Sequence, residues 1–216
     1  MAMQAERDVQ AIVETRLAHE THRLATGLLV DAGGRSSVPS QALAQLRDFI
    51  VANLRHHHET EDLWLWPLIA AAAPDTTMAL DGLSEEHIQL DIALDRLAAV
   101  DLTGASISSH GRHELREAAV AVRESVRDHL IREEPMLFPA LRQHITREQW
   151  EAFAQRVITT TPPVAGHLMI GFLDEVGTPA EVESMLVNMP PPVMSVLPAL
   201  RSQASADLRV LRGGSS

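Results

Sequence analysis

The chain has 216 residues, with 29 acidic and 18 basic side chains, a formal net charge of −11 and no cysteine. The absence of cysteine excludes disulfides, a cysteine nucleophile and a thiolate metal site. A net negative charge repels a phosphate backbone, and no basic stretch with interleaved aromatic residues offsets it, so we expect no nucleic-acid partner.

Helical patterns follow one another from the N-terminus. Apolar residues at intervals of three and four predict a first helix over about residues 5–31, which Gly33 and Gly34 end. A second helix is predicted from about Ser40 to Ala73, with a bend at Pro67.

The same periodicity predicts a third helix that opens at Ser84 and ends before Thr103. A fourth helix is predicted from about residue 110 to Leu141, interrupted at two internal prolines. Four long helices with short connections predict an all-α fold, an up-down antiparallel four-helix bundle.

The sequence changes character after Thr146, where prolines become frequent. We assign residues 8–145 to the bundle and residues 146–216 to a short helical C-terminal extension. Trp150 and Phe153 belong to one more amphipathic helix in this extension. The simpler interpretation is that the extension covers the bundle or forms a dimer surface; the alternative is a lid or a partner-binding segment.

The first eight residues are polar and acidic, and they lack the charged and apolar zones of a secretory signal. Uncharged runs at 63–74 and 162–173 are shorter than the ~20 residues that a membrane-spanning helix needs, and the run at 184–200 is interrupted by prolines. We therefore expect a cytoplasmic protein with no membrane partner.

One motif occurs twice, in the second and in the fourth predicted helix. His57 and Glu61 match His129 and Glu133, and both copies read His-x3-Glu-x5-Pro. Residues four apart lie on the same face of a helix, so each pair can point into the bundle. The acid that follows each motif glutamate points about 100° away, and we expect it to be solvated. Two buried carboxylates in one core are costly unless cations hold them together, so the repeat predicts a metal site.

The other two helices supply further imidazoles. His87 lies within the apolar periodicity of the third helix, and Asp91, one turn later, is a candidate ligand or orients a neighbouring ligand. In the first helix His19 and His22 are three residues apart, so spacing leaves the choice between them open. The predicted set is one histidine from each helix together with the two glutamates.

Each of these histidines taken alone is more simply a core or surface residue, and the run at 56–58 alone is a solvated polar segment. The repeated motif, with a histidine on each remaining helix, favours metal. Imidazole and carboxylate ligands without sulfur suit iron, zinc or manganese, and bundle cores commonly hold two bridged ions. Six protein ligands leave open positions on two ions of roughly six coordinate positions each, for water, an oxygen species or a small ligand.

Two common metal-site patterns are missing from the sequence. A ferritin-like centre needs Glu-x-x-His on two helices, and no histidine here has an acid three residues before it. The His-Glu-x-x-His stretch of zinc proteases is also absent, which excludes that class.

The motifs resemble the hemerythrin-like proteins, also called HHE cation-binding domains, over about residues 8–145. The resemblance rests on the two His-x3-Glu motifs, on Glu86 and His87 in the third helix, and on His19, which Arg23 follows at a spacing common in the family. It implies a four-helix bundle around a non-haem di-iron centre, with two iron ions bridged by two glutamates and an oxo or hydroxo group. The proline-rich end resembles the extension of actinobacterial members. The implied terminal ligands are His19, His57, His87 and His129, and the implied bridging ligands are Glu61 and Glu133.

The chain departs from the oxygen-carrying hemerythrins in two places. Those proteins have two histidines one turn apart in the third helix, where this chain has His87 and Asp91. They also have a longer His-to-Asp spacing in the fourth helix, where this chain has His129 and Glu133. Both differences argue against reversible oxygen carriage. His58 is a further candidate ligand, as in some related domains.

The resemblance implies a non-haem di-iron protein that handles or senses dioxygen, nitric oxide or peroxide. One alternative is a peroxide-decomposing di-iron enzyme of the catalase or peroxidase kind, so the sequence leaves open whether the protein is an enzyme. Another is a structural zinc or iron bundle that acts as an interaction module; manganese is a further alternative metal. We also consider a homodimer formed through the extension.

Overall fold

A computed structural model describes residues 2–103, 107–187 and 189–214, with side chains from residue 10 onward. All regular structure in these ranges is helical, and none of the described helices is long and apolar enough to cross a lipid bilayer. A π-helical turn, Glu61–Leu65, and a 3-10 turn, Pro74–Thr76, lie among the helices. The helices are α1 (Ala2–Gly33), α2 (Ser40–Thr60), α3 (Trp66–Ala72), α4 (Thr77–Ala98), α5 (Ser109–His144), α6 (Arg147–Thr160), α7 (Gly166–Val176), α8 (Pro179–Leu186) and α9 (Pro191–Leu211).

The first long helices form the predicted four-helix bundle. α1 packs against α2, α2 against α4 and α4 against α5, and α5 closes the bundle by packing along α1. Neighbours in sequence are therefore neighbours in space, which is the up-down arrangement. The predicted fold class, an all-α bundle followed by a helical extension, is confirmed.

α4 and α5 are longer and more continuous than the sequence pattern predicted. α4 begins at Thr77, ahead of the predicted start at Ser84, because Leu80 in its first turns is buried in the bundle. α5 continues through Pro135 and Pro139 without the predicted interruption. Apolar side chains beyond these prolines are buried, and their packing outweighs the lost backbone hydrogen bonds.

The second predicted helix is irregular just before Pro67 rather than at it. The N–H of Trp66 donates to the carbonyl of Glu61, five residues earlier, so one turn is π-helical. Proline has no N–H to donate to a carbonyl of the preceding turn, which favours a local change in the spacing of the backbone hydrogen bonds. Wide turns of this kind are frequent at functional sites, and this one begins at Glu61.

Two apolar clusters fill the bundle on either side of a polar layer. Along α2 and α5 the first cluster reaches Leu54 and Leu130. The second cluster begins at Leu65 and Leu137. His57, Glu61 and Glu133 lie between these limits, and His129 is next to Leu130, so the two sequence motifs form a largely buried polar layer in an otherwise apolar core.

The extension covers the α1 and α2 side of the bundle. Phe172 of α7 packs on Phe49 of α2, with ring centroids 5.6 Å apart, and belongs to the first apolar cluster. α7 and α9 approach closely at Gly171, where a Cβ would lie 2.7 Å from the Cβ of Ala204. α6 and α8 pack along α1. Bundle and extension therefore share apolar contacts.

Candidate metal centre

Glu61 presents its two carboxylate oxygens to different imidazoles. Oε1 lies 3.4 Å from Nε2 of His57, one turn earlier, because the two residues share the inner face of α2. Oε2 lies 3.5 Å from Nε2 of His87 on α4. The carboxylate of Glu61 thus lies between two helices that both supply a histidine.

Glu133 on α5 repeats this arrangement with the other two histidines. Its Oε1 lies 3.4 Å from Nε2 of His19 on α1, and its Oε2 lies 2.9 Å from Nε2 of His129 one turn earlier. Both side chains of the α5 motif are buried. The four oxygens of the two glutamates therefore face four different imidazoles.

The six predicted residues form two groups that share a carboxylate. Within each group the ligand atoms all lie within 4.8 Å of one another, a spacing that a metal ion can bridge. We call the place between His19 and His57 the first position, and the place between His87 and His129 the second position. The first group consists of His19, His57, Glu61 and Glu133, and the second of Glu61, His87 and His129.

The donor set fits cations, because buried polar atoms without a hydrogen-bond partner concentrate there. Such atoms are costly unless something else satisfies them. Burial, together with the nearby carboxylate of Glu133, raises the pKa of Glu61 well above its ordinary value. Two metal ions would remove this penalty, since each carboxylate faces both positions. Among the described residues these atoms include Nε2 of His19, His57 and His58, Oε2 of Glu61, and both oxygens of Glu133.

The pKa values of the two motif histidines shift in opposite directions. Burial lowers the pKa of His57 well below its ordinary value, and the neighbouring His22 lowers it further, so this ring is neutral. Burial by itself would lower the pKa of His129, but Glu133 and Glu86 raise it overall. A metal ion at the second position competes with that proton, since metal binding to histidine releases protons.

The Nδ1 atoms of two imidazoles, which are the ring nitrogens away from the metal positions, donate to carboxylates that were expected in solvent. Nδ1 of His87 donates to Asp62 at 3.0 Å, and Ser84 donates to the other oxygen of the same carboxylate at 2.6 Å. Nδ1 of His19 donates to Glu134 at 3.0 Å. The expectation of solvated acids after each motif glutamate was incomplete: both side chains are partly exposed, but a neighbouring helix brings a histidine to each of them.

A third outer carboxylate comes from α4. Nδ1 of His129 donates to Glu86 at 3.0 Å, and Nε of Arg132 donates to the other oxygen of Glu86 at 2.6 Å. Hydrogen bonds of this kind fix the ring orientation and the tautomer of a metal-binding histidine. A signal for two of these acids was present in the sequence, since an acid follows the motif glutamate in both copies.

His58 lies at the edge of the second position. Its ring stacks on His87 with centroids 4.3 Å apart, and its buried Nε2 has no hydrogen-bond partner. Asp91 accepts a hydrogen bond of 3.3 Å from Nδ1 of His58. Asp91 was expected either to bind metal or to orient a neighbouring ligand. The structure places it in contact with His58, which is itself a candidate ligand.

His22 lies beside the first position and outside both groups. Its ring centroid is 4.8 Å from that of His57, and its buried Nδ1 has no hydrogen-bond partner. Burial and the neighbouring His19 lower the pKa of His22 to about 3, so the ring is neutral. The structure thus turns His19, rather than His22, toward Glu133.

Four further histidines lie outside both groups. His110 and His113 are exposed on α5 and face Glu114 and Glu117 one turn later. His144 is also exposed. His167 is buried in the extension, where Nε2 donates to an aspartate of α9 at 2.9 Å.

Comparison with known families gives one match. A family model described as the hemerythrin HHE cation-binding domain matches residues 11–141, more than half of the chain. No curated protein and no solved structure matches the chain. The matched range contains every histidine and glutamate of the two groups.

Proposed function

Because the chain belongs to the hemerythrin HHE cation-binding domain family, we propose that it holds two non-haem iron ions in the bundle and uses them to handle or sense dioxygen, nitric oxide or peroxide. One observation carries this proposal: each oxygen of Glu61 and of Glu133 faces a different imidazole. Two adjacent cations repel each other unless anionic groups lie between them. Two carboxylates that each face both positions supply those groups.

Each residue has a distinct task in this proposal. His19 and His57 hold the first ion, His87 and His129 hold the second, and the two glutamates bridge them. When bound, the iron ions supply redox chemistry and coordination positions that a small ligand can occupy. The outer carboxylates keep the imidazoles oriented, and the apolar clusters above and below the polar layer limit the access of water.

The identity of the metal decides whether coordination positions remain available for a ligand. The first group supplies two imidazoles and two carboxylates, four donors that would saturate a tetrahedral structural zinc site, and the second group supplies two imidazoles and one carboxylate. An iron ion of about six coordinate positions keeps some of them for a ligand. Zinc therefore belongs to the alternative function, a structural bundle that acts as an interaction module, whereas iron belongs to ligand binding or to peroxide decomposition.

A cytoplasmic location and a homodimer through the extension are parts of the proposal. Val187, Met194 and Val196 of the extension are exposed apolar residues, which supports an interface there. Light scattering on the eluate of a size-exclusion column tests the dimer. A monomer at micromolar concentration would remove this part and leave the metal proposal unchanged.

The test of the metal proposal is metal analysis together with an absorption spectrum. The protein, purified without a tag, is reduced anaerobically and then exposed to air. We expect about two iron ions per chain, near-ultraviolet absorption that develops on oxidation, and loss of stoichiometric iron in Glu61→Ala and Glu133→Ala. Glu117→Ala is the matched control, because His113 and Glu117 have the same spacing on α5 but are exposed.

The alternatives give different results in the same experiment. Zinc in place of iron, with no spectral change in air, would support the structural bundle. Iron-dependent loss of added hydrogen peroxide that disappears in His129→Ala would support the enzyme. Undiminished iron in both glutamate variants would contradict the assignment of the centre.

A further inference from the structure

A cavity of about 210 Å³ lies between the bundle and the extension, against the first metal position. On the bundle side its wall includes His22, His57 and Glu61. On the other side α6, α7 and the segment after α8 form its wall, with Trp150 and Ile170 among the lining residues. The extension therefore builds a chamber next to the polar layer of the bundle.

The chamber is mostly apolar and is bounded by adaptable side chains. Three methionines, Met169, Met185 and Met189, line it from the extension. Methionine is flexible and polarizable, and it is common on surfaces that adjust to ligands of different shape. Phe153 and Val157 of α6 form a further, more rigid part of the apolar wall. Such a lining favours the body of an apolar molecule over a chain of ordered water.

The size of the chamber exceeds what a diatomic ligand or peroxide needs. One water molecule occupies roughly 10–15 Å³ on this measure, and an apolar cavity of about 150 Å³ holds benzene. The chamber of about 210 Å³ therefore has room for roughly eight to ten non-hydrogen atoms. An access route for dioxygen alone would not require a chamber of this volume.

One end of the chamber is polar, and His22 there has an unpartnered ring nitrogen in addition to those of the metal centre. Asn53 donates to the carbonyl of Phe49, and Thr60 donates to the carbonyl of His57, so these donors are satisfied. His22 is 5% exposed, and its Nδ1 has no hydrogen-bond partner. A ligand whose polar end lies at this side of the chamber can satisfy His22 and also reach the first position.

We propose that the chamber binds an amphiphilic organic molecule of about eight to ten non-hydrogen atoms, with its apolar body against the extension and an oxygen-bearing head group at His22 and the first metal position. This inference rests on the proposed function, since it names the class of ligand that the metal centre receives. It also gives residues 146–216 a task, because the bundle alone does not enclose the chamber.

The experiment measures binding of three probes to the protein with the metal that it contains when purified. Octanoate combines an apolar body with an oxygen-bearing head, acetate isolates the head, and toluene isolates an apolar body. Isothermal titration gives the Kd, and tryptophan fluorescence, to which Trp150 in the chamber wall contributes, gives a second readout. We expect octanoate to bind at least tenfold more tightly than acetate.

Two variants locate the binding. Ala154→Phe places a ring in the chamber and should raise the Kd of octanoate and of toluene at least tenfold. Ala152→Phe is the matched control, because residue 152 is exposed on the same helix, and its Kd values should stay within twofold. His22→Leu should raise the Kd of octanoate about tenfold and leave that of toluene unchanged.

The outcomes separate this inference from the proposed function. Octanoate binding no tighter than acetate binding, or binding that Ala154→Phe leaves unchanged, would overturn the inference even in a protein with two iron ions. The protein could instead contain no iron and still bind octanoate and toluene in a way that Ala154→Phe weakens. That result would overturn the proposed function and retain the chamber as an apolar site. Should Ala154→Phe fail to fold, equal effects of His22→Leu on octanoate and toluene would overturn the placement of the head group.

Discussion

Nδ1 of His19 donates a hydrogen bond of 3.0 Å to Glu134, while the other nitrogen of the ring faces the centre of the bundle. Arg23, one turn after His19, donates to the same carboxylate oxygen at 2.9 Å. These contacts lower the pKa of Glu134 to about 2 against the opposing effect of burial. The arginine four residues after the histidine thus has a physical role, since it holds the carboxylate that orients the ring.

Glu134→Gln should weaken metal binding by about 10- to 100-fold, because the outer partner of a metal-binding histidine fixes its orientation and its basicity. Competition with a chelator of known affinity measures the change. Glu124→Gln, a partly exposed acid on the same helix that pairs with arginines, should leave the affinity unchanged. Equal affinities for the wild type and Glu134→Gln would show that the hydrogen bond does not act on the metal.

His58→Leu should weaken the second position selectively. The unpartnered Nε2 of His58 and its stacking on His87 indicate a third imidazole for this position. Under a competing chelator we expect the metal content to fall from about two toward one per chain, with a loss of affinity on the order of tenfold. His56→Leu is the control, since His56 is half-buried and bonds Thr160 at 2.8 Å. If both variants retain two ions, His58 is not a metal ligand and contributes only to packing.

Phe172→Ala should destabilise the bundle as well as the extension. Phe172 is fully buried and packs on Phe49, so its loss leaves a cavity in the shared apolar cluster. Removal of a buried phenylalanine costs about 3–5 kcal/mol, which lowers Tm by roughly 10 °C in a protein of this size. Thermal unfolding followed by circular dichroism measures it, with Val196→Ala on the exposed face of α9 as the control. Separate transitions for bundle and extension would contradict this coupling.

Glu14→Gln should stabilise the protein at neutral and alkaline pH. Glu14 is buried and accepts hydrogen bonds from Trp150 at 2.8 Å and from Gln10 at 2.9 Å. Burial raises its pKa above the ordinary value of 4.5, so the folded state holds this proton to higher pH than the unfolded state does. Stability from this group is therefore complete below pH 4.5 and is lost as pH rises through the folded pKa.

The measurement is the difference in Tm between Glu14→Gln and the wild type at two pH values. At pH 8 we expect the variant to unfold at a higher temperature, by on the order of 2 °C. At pH 4 most of the difference should be lost, because Glu14 is then mostly protonated in both states. Glu114→Gln, an exposed acid, should show no such pH dependence. A variant less stable than the wild type at pH 8 would contradict the prediction.

The sequence by itself determined the bundle and the residues of its polar layer. Helical periodicity is a local property, so a histidine and a glutamate four residues apart must share a face, and the flanking apolar residues turn that face inward. The repeated motif on α2 and α5, with a histidine on α1 and another on α4, therefore predicted which side chains converge.

Only the tertiary structure decided contacts that depend on distances between helices. It turned His19 toward Glu133, and it brought Asp62 and Glu134 to imidazoles on other helices. It also formed a partly open chamber between the bundle and residues 146–216. Spacing along one helix fixes an angle around that helix, whereas the partner across the interface depends on how the helices rotate and shift when their apolar faces pack together.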